Sequence, residues 1–130
     1  MSVRIFKNRT FARWAMRERI PDSALVTAVA EMEAGLIDAR LGSGLCKKRI
    51  PVGARGKRGG ARVVLAFRAS RRAIFLFGFA KNERSTISAS EQRALARLAR
   101  ELLSYGDAQI EQALRHRAII EVTDDGNKDS

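Results

Sequence analysis

Two short cationic groups in the middle of the chain carry the residue types needed to handle a phosphate. One is the glycine-rich stretch Gly53-Ala54-Arg55-Gly56-Lys57-Arg58-Gly59-Gly60, which runs into Ala61-Arg62. The other is Ala80-Lys81-Asn82-Glu83-Arg84-Ser85. A guanidinium stays charged and its planar fork binds two oxygens at once, so Arg62 and Arg84 are candidate phosphate holders. A lysine moves protons only when its charged form is destabilised, and lowering a free lysine from ~10.4 to ~8 takes roughly 3 kcal/mol. Neighbouring cations or desolvation can supply that. Lys57 lies beside Arg55 and Arg58, and Lys81 lies near Arg84, so these two lysines are the candidates for proton transfer. Glu83 is expected to orient Arg84 rather than to act as a base. The glycine stretch is not a P-loop, because Gly56-Lys57 is followed by Arg58 and not by serine or threonine.

The rest of the composition agrees with a polyanionic partner. Lys and Arg total 25 against 14 Asp and Glu, a formal charge of +11. Such an excess does not set a fold, but it attracts nucleic acid or acidic protein and speeds encounter with both. The single cysteine, Cys46, excludes an internal disulfide. The single histidine, His116, excludes a zinc site built from clustered Cys and His. Neither a metal nor a cofactor is expected, and both residues read as incidental. Met1-Ser2-Val3-Arg4 has no long apolar core, so no signal peptide is expected. The longest apolar run, Ala73–Ala80, falls far below a bilayer span. The expected setting is a reducing, cytoplasmic one without membrane contact.

These groups need elements to position them. At 130 residues one domain is expected, over residues 1–122, with 123–130 a polar, disordered tail. Val3–Phe6 reads as a short strand. Asn8 or Thr10 caps a helix running to about Arg19, with Phe11, Trp14 and Ala15 on its apolar side and Arg9, Arg13, Arg17 and Arg19 solvated. Pro21-Asp22-Ser23 opens a second helix, Asp22–Ala34, on the strength of Leu25, Ala28, Val29, Met32 and Leu36 recurring at helical spacing. Residues 35–44 read as a connector. Leu45–Ile50 reads as an edge-type strand carrying Lys47, Lys48 and Arg49. Val63–Phe67 and Ile74–Phe79 form a hairpin. Ser88-Ala89-Ser90-Glu91 is a capping box that opens a third helix. A short fourth helix follows at Ala108–Arg115, and a last strand at Ala118–Val122.

Register decides what the hairpin presents. Pairing Val63, Leu65 and Phe67 with Phe75, Phe77 and Phe79 gathers one large apolar face, with Arg62 opposite Ala80 on the other. The expected fold is α+β, with an N-terminal helical hairpin and a C-terminal helix packed on one face of a small antiparallel sheet. The free face carries Arg62. At roughly 3.3 Å per residue, Lys57, Arg62, Lys81 and Arg84 then fall within about 10–15 Å of each other.

Three blocks in order carry a family resemblance: Leu45-Cys46-Lys47-Lys48-Arg49-Ile50, Gly56-Lys57-Arg58-Gly59-Gly60-Ala61-Arg62 and Gly78-Phe79-Ala80-Lys81-Asn82-Glu83-Arg84-Ser85. With them the chain resembles the RelE/HigB-type toxins of bacterial type II toxin–antitoxin systems, and more narrowly a HigB-like branch. The resemblance implies a RelE-like fold and a ribosome-dependent mRNA endoribonuclease that inhibits translation. It also implies silencing by a cognate helix-turn-helix antitoxin, with operator DNA bound only through the complex. It maps the arginine after the second strand's glycines onto Arg62 and the terminal block onto Lys81, Glu83, Arg84 and Ser85. RelE carries arginine where this chain has Asn82, and tyrosine where it has Ser88.

RNA can be cut without metal. The 2′-hydroxyl attacks the adjacent phosphorus and the 5′-oxygen leaves, which needs a base, cations around the phosphorane and an acid. The candidate catalytic set is therefore Lys57, Arg62, Lys81 and Arg84, with Lys47, Lys48, Arg49, Arg55, Arg58 and Asn82 as RNA contacts. Plainer readings stand beside these. The glycine stretch could be an ordinary solvated turn, the Lys47–Arg49 run could be edge protection, and Arg62 and Arg84 could belong to a surface ion-pair network. Phe75, Phe77 and Phe79 read as core rather than as base-stacking groups. Two other functions share the charge and shape: a ParE-like gyrase inhibitor and a non-catalytic nucleic-acid-binding module.

Overall fold

The computed structural model describes residues 3–52 and 60–123. The elements run β1 (Arg4–Asn8), α1 (Arg9–Arg17), α2 (Asp22–Glu33), β2 (Ala39–Gly42), β3 (Leu45–Ile50), β4 (Ala61–Arg68), β5 (Arg72–Ala80), α3 (Ala89–Ser104), α4 (Asp107–Arg115) and β6 (Ile119–Val122). The six strands form one sheet in the order β2-β3-β4-β5-β1-β6. Only the β1–β5 pair is parallel; the others are antiparallel. This is an α+β architecture with the expected helical pair at the start and helix at the end.

Local chemistry sets the helix ends. Asn8 caps α1 by accepting the Phe11 amide at 2.8 Å. Ser88 and Glu91 form the full capping box of α3: the serine hydroxyl accepts the Glu91 amide at 3.1 Å, and the Glu91 carboxylate accepts the Ser88 amide at 2.8 Å. At the other end of α3, the Arg72 guanidinium donates to the carbonyls of Leu102 and Tyr105, both at 2.9 Å. Both carbonyls lie at the helix end, where partners run short; that of Leu102 also accepts the Tyr105 amide at 3.4 Å.

The sheet is covered on both faces, not on one. Trp14, Phe11, Leu25, Val29 and Met32 from α1 and α2 pack with Val63, Leu65, Phe67 and Phe75. On the opposite face Ala99, Leu102, Leu103 and Ile110 from α3 and α4 pack with Val64, Ala66, Ile74 and Leu76. Nearly every residue of β4 and β5 is therefore buried, as a two-sided sheet requires.

The hairpin register differs from expectation by a bulge. Val64 pairs with Phe77 and Leu65 with Phe75, so Leu76 is the extra residue. Past the bulge, β5 switches sides. Phe75 stays in the α1–α2 core, while Phe77 and Phe79 turn to the α3 face. The three phenylalanines do not share a face, and Arg62 pairs with Phe79 rather than Ala80. The connector at residues 35–44 also contains β2, which pairs with β3 through a tight turn in which Gly42, Ser43 and Gly44 all have positive φ. Lys47–Arg49 is thus an interior strand.

Candidate active site

The α3 face of the sheet carries a short cross-strand row at the end where β3 leaves and β4 enters. Arg49 lies opposite Arg62, and Arg62 lies opposite Phe79. Lys47, Val64 and Phe77 form the next row. Directly opposed residues sit about 4.5–5.5 Å apart at Cβ, and like charges so placed oppose folding. Arg49 is steadied by Asp38, whose carboxylate accepts its backbone amide at 2.6 Å and its Nε at 3.2 Å. Among the described residues Arg62 has no such counterion. Its Nη1 is buried and finds no hydrogen-bond partner among the described residues. A buried guanidinium nitrogen left in that state costs free energy, and an anion would satisfy it.

The second cationic group sits at the same end of the sheet. Ala61, next to Arg62, pairs with Ala80, next to Lys81. The chain turns sharply there, with the amides of Glu83 and Arg84 both donating to the Ala80 carbonyl at 3.0 and 3.3 Å. Lys81, Asn82 and Glu83 are exposed. Arg84 folds back over the α3 face, with its guanidinium carbon 5.8 Å from the Phe77 ring centre and 5.6 Å from that of Phe79. Ile87 buries itself in the same cluster. Arg62 and Arg84 therefore flank Phe79 on one face.

Arg84 is oriented by Glu91, and not by Glu83. The carboxylate accepts from both Nη1, at 3.2 Å, and Nη2, and the Thr86 carbonyl accepts Nε at 2.9 Å. Among the described residues these bonds use three of the five guanidinium N–H donors, leaving two. The Arg84 fork holds the Glu91 carboxyl far below the usual carboxylate range, at about 2, and the Ser88 amide adds to the effect. The same bond raises the Arg84 guanidinium above its ordinary value. Ser88 is committed to capping α3.

The other candidates divide. Lys47 is half-buried and shares the α3 face with Arg49 and Arg62. Lys48 does not lie on that face. Its ammonium is buried on the α2 side, 2.7 Å from Glu31 and 3.0 Å from the Leu36 carbonyl. Strand alternation puts it opposite to its neighbours, which removes it from the RNA contacts. Arg55, Lys57 and Arg58 lie outside the described residues. The ends of their segment, Val52 and Gly60, adjoin the Ile50–Ala61 pair. His116 is exposed at the C-terminal end of α4 and is not among the residues lining the cleft beside Arg84. Among the described residues no group of His, Cys, Asp and Glu is placed to hold a metal ion, and no helix is long and apolar enough to cross a membrane.

Sequence reading missed two features. Glu91 was legible only as a capping-box residue. Arg13 and Arg17 of α1 are exposed, as expected, and also line a cleft of about 400 Å³ with Arg84 and Glu83, which the sequence does not announce.

Comparison with known proteins places the chain. No curated protein matches it. The family described as the RelE toxin of the RelE/RelB toxin–antitoxin system matches residues 3–122, and on that extent the chain belongs to the RelE toxin family.

Proposed function

We propose that this protein is a ribosome-dependent mRNA endoribonuclease that acts in the cytoplasm and cuts by attack of the 2′-hydroxyl without metal. Membership of the RelE family makes it the toxin of a toxin–antitoxin system with a cognate antitoxin. The three sequence blocks support a HigB-like branch and a helix-turn-helix antitoxin, with operator DNA bound only through the complex.

One observation carries the reading. Arg62 is a half-buried cation with a nitrogen unsatisfied among the described residues, set opposite another arginine, beside an aromatic ring that a second arginine covers. A folded protein keeps such an arrangement when an anion completes it. In the proposed step the 2′-oxygen bonds to phosphorus and the bond from phosphorus to the 5′-oxygen breaks. The products are a 2′,3′-cyclic phosphate and a 5′-hydroxyl. Arg62 holds the non-bridging oxygens as charge builds, with the two remaining N–H donors of Arg84 beside it. Lys81 and Lys57 are the proposed proton carriers, and Lys47, Arg49, Arg55, Arg58 and Asn82 the proposed backbone contacts.

Primer extension on a translated mRNA, with the same RNA free of ribosomes alongside, tests this. Cleavage is expected only with ribosomes. It should yield 2′,3′-cyclic phosphate ends and disappear when the cut nucleotide is 2′-deoxy. Intact mRNA together with inhibited DNA supercoiling by gyrase would replace this reading with the ParE-like one.

A further inference from the structure

Several cations near the sheet already have partners. Arg4 pairs with Glu121 and Glu111, Lys7 with Asp22, Lys48 with Glu31, Arg49 with Asp38 and Arg84 with Glu91, while Arg72 caps α3. Helix α1 carries a row of cations outside these pairs. Arg9, Arg13 and Arg17 recur every four residues on its exposed side, and none of the ion pairs among the described residues reaches them. Like charges four apart on a helix repel, and the first turn of α1 contains no acid to offset them.

The place where two of these arginines point is a formed cleft. Strand β1 pairs with β5 only as far as Phe75, and α1 lies along the edge of β5 beyond that point. Trp14 fits against Gly78, where a Cβ would come within 2.3 Å of the indole ring. The cleft over this contact, about 400 Å³, has Arg13 and Arg17 on one wall and Arg84 on the other. Glu83 is the one carboxylate among its lining residues, and it forms no ion pair among the described residues. Arg84 thus belongs to both surfaces: it covers Phe79 beside Arg62 and closes one side of the α1 cleft.

We propose that the cleft between α1 and the free edge of β5 is a second phosphate-binding subsite, in which Arg13 and Arg17 hold the RNA backbone beyond the phosphate at Arg62. The inference rests on the reading of the preceding section in taking RNA as the ligand, and it adds the direction in which the strand leaves. A backbone carries one charge per nucleotide, so a cationic wall continuous with the first site can follow it.

The test is the salt dependence of binding of a short single-stranded oligoribonucleotide, measured by fluorescence anisotropy. Each phosphate contact on a single strand contributes about 0.7 to the slope of log K against log salt. The double variant R13A/R17A should flatten that slope by about 1.4. R97A/R115A, which removes two exposed arginines elsewhere, should leave it unchanged and controls for net charge. Both pairs are exposed and alanine favours helix, and circular dichroism checks folding. An unchanged slope in R13A/R17A overturns the subsite, including when affinity for an acidic protein segment falls instead. The two readings fail separately. Wild-type cleavage with an unmoved slope leaves the ribonuclease and removes the subsite, whereas a flattened slope without cleavage does the reverse.

Discussion

The Arg84 guanidinium and the Glu91 carboxylate meet in a two-pronged ion pair that ties the turn after β5 to the first turn of α3. Glu91 also accepts the Ser88 amide, so one side chain holds a helix cap and a candidate site arginine. Its carboxyl is held at about 2 by Arg84 and then by the Ser88 amide. A depressed carboxylate stabilises the fold above its unfolded pKa and stops doing so as pH falls through its folded one. The Glu91 contribution should therefore be complete at neutral pH and disappear between about 4.5 and 2. In Glu91→Gln the amide can still serve the cap but not the charge. Thermal melts should place this variant below wild type at pH 7, with the gap closing towards pH 2. A gap that persists undiminished at low pH would show that the charge of Glu91 is not what matters.

Arg62 should trade stability for activity. Its Nη1 lacks a partner among the described residues, and Arg49 stands opposite. Arg62→Met keeps a long side chain against Phe79 and removes both penalties, which are worth about 1 kcal/mol or more together. Denaturant unfolding should show the variant to be at least as stable as wild type. Primer extension should show cleavage reduced by about 10²-fold or more, the usual loss when one donor to a developing anion is removed. A variant that is less stable and still active would make Arg62 a structural residue.

What could be read from sequence follows from how local each signal is. The capping box at Ser88, a cap at Asn8 or Thr10 and the helical period of Leu25, Val29 and Met32 depend on neighbours within a turn or two and are legible, the structure deciding for Asn8. The α+β class and the placing of Arg62 and Lys81 at one end of the sheet came from the same kind of pattern. The Leu76 bulge was not legible, because a run of apolar residues buried on both faces carries no alternation to reveal a slip. That single extra residue moved Phe77 and Phe79 to the side of Arg62. Strand β2 was hidden for a different reason: Ala39–Gly42 is four residues long and its pairing is set by the turn behind it. Lys48 was misjudged because its buried partner, Glu31, lies on another element.

Lys48 gives a direct contrast with its neighbours. Its side chain is only 4% exposed and is held by Glu31 and the Leu36 carbonyl. Removing the carboxylate strands a buried ammonium, so Glu31→Ala should cost about 3 kcal/mol in denaturant unfolding. Lys48→Met keeps the stem and removes the charge, and should be close to neutral. The salt slope of oligoribonucleotide binding should be unchanged in Lys48→Met. A slope flattened by about 0.7 would return Lys48 to the RNA contacts.

Gly78 is the last test, because it joins the fold to the α1 cleft. A methyl group there would meet three atoms of the Trp14 ring at 2.3 to 2.6 Å. Trp14 cannot yield freely: it is 7% exposed and tilts against Phe11, with ring centres 5.4 Å apart. Gly78→Ala should therefore cost about 1–3 kcal/mol by overpacking. If the collision is with the indole, a smaller ring makes room. Gly78→Ala combined with Trp14→Phe should then be less destabilised than the sum of the two single changes, by an interaction energy of about 1 kcal/mol. Urea unfolding of the four proteins in the cycle measures it. Strict additivity would mean that the glycine is needed for its backbone and not for its closeness to Trp14.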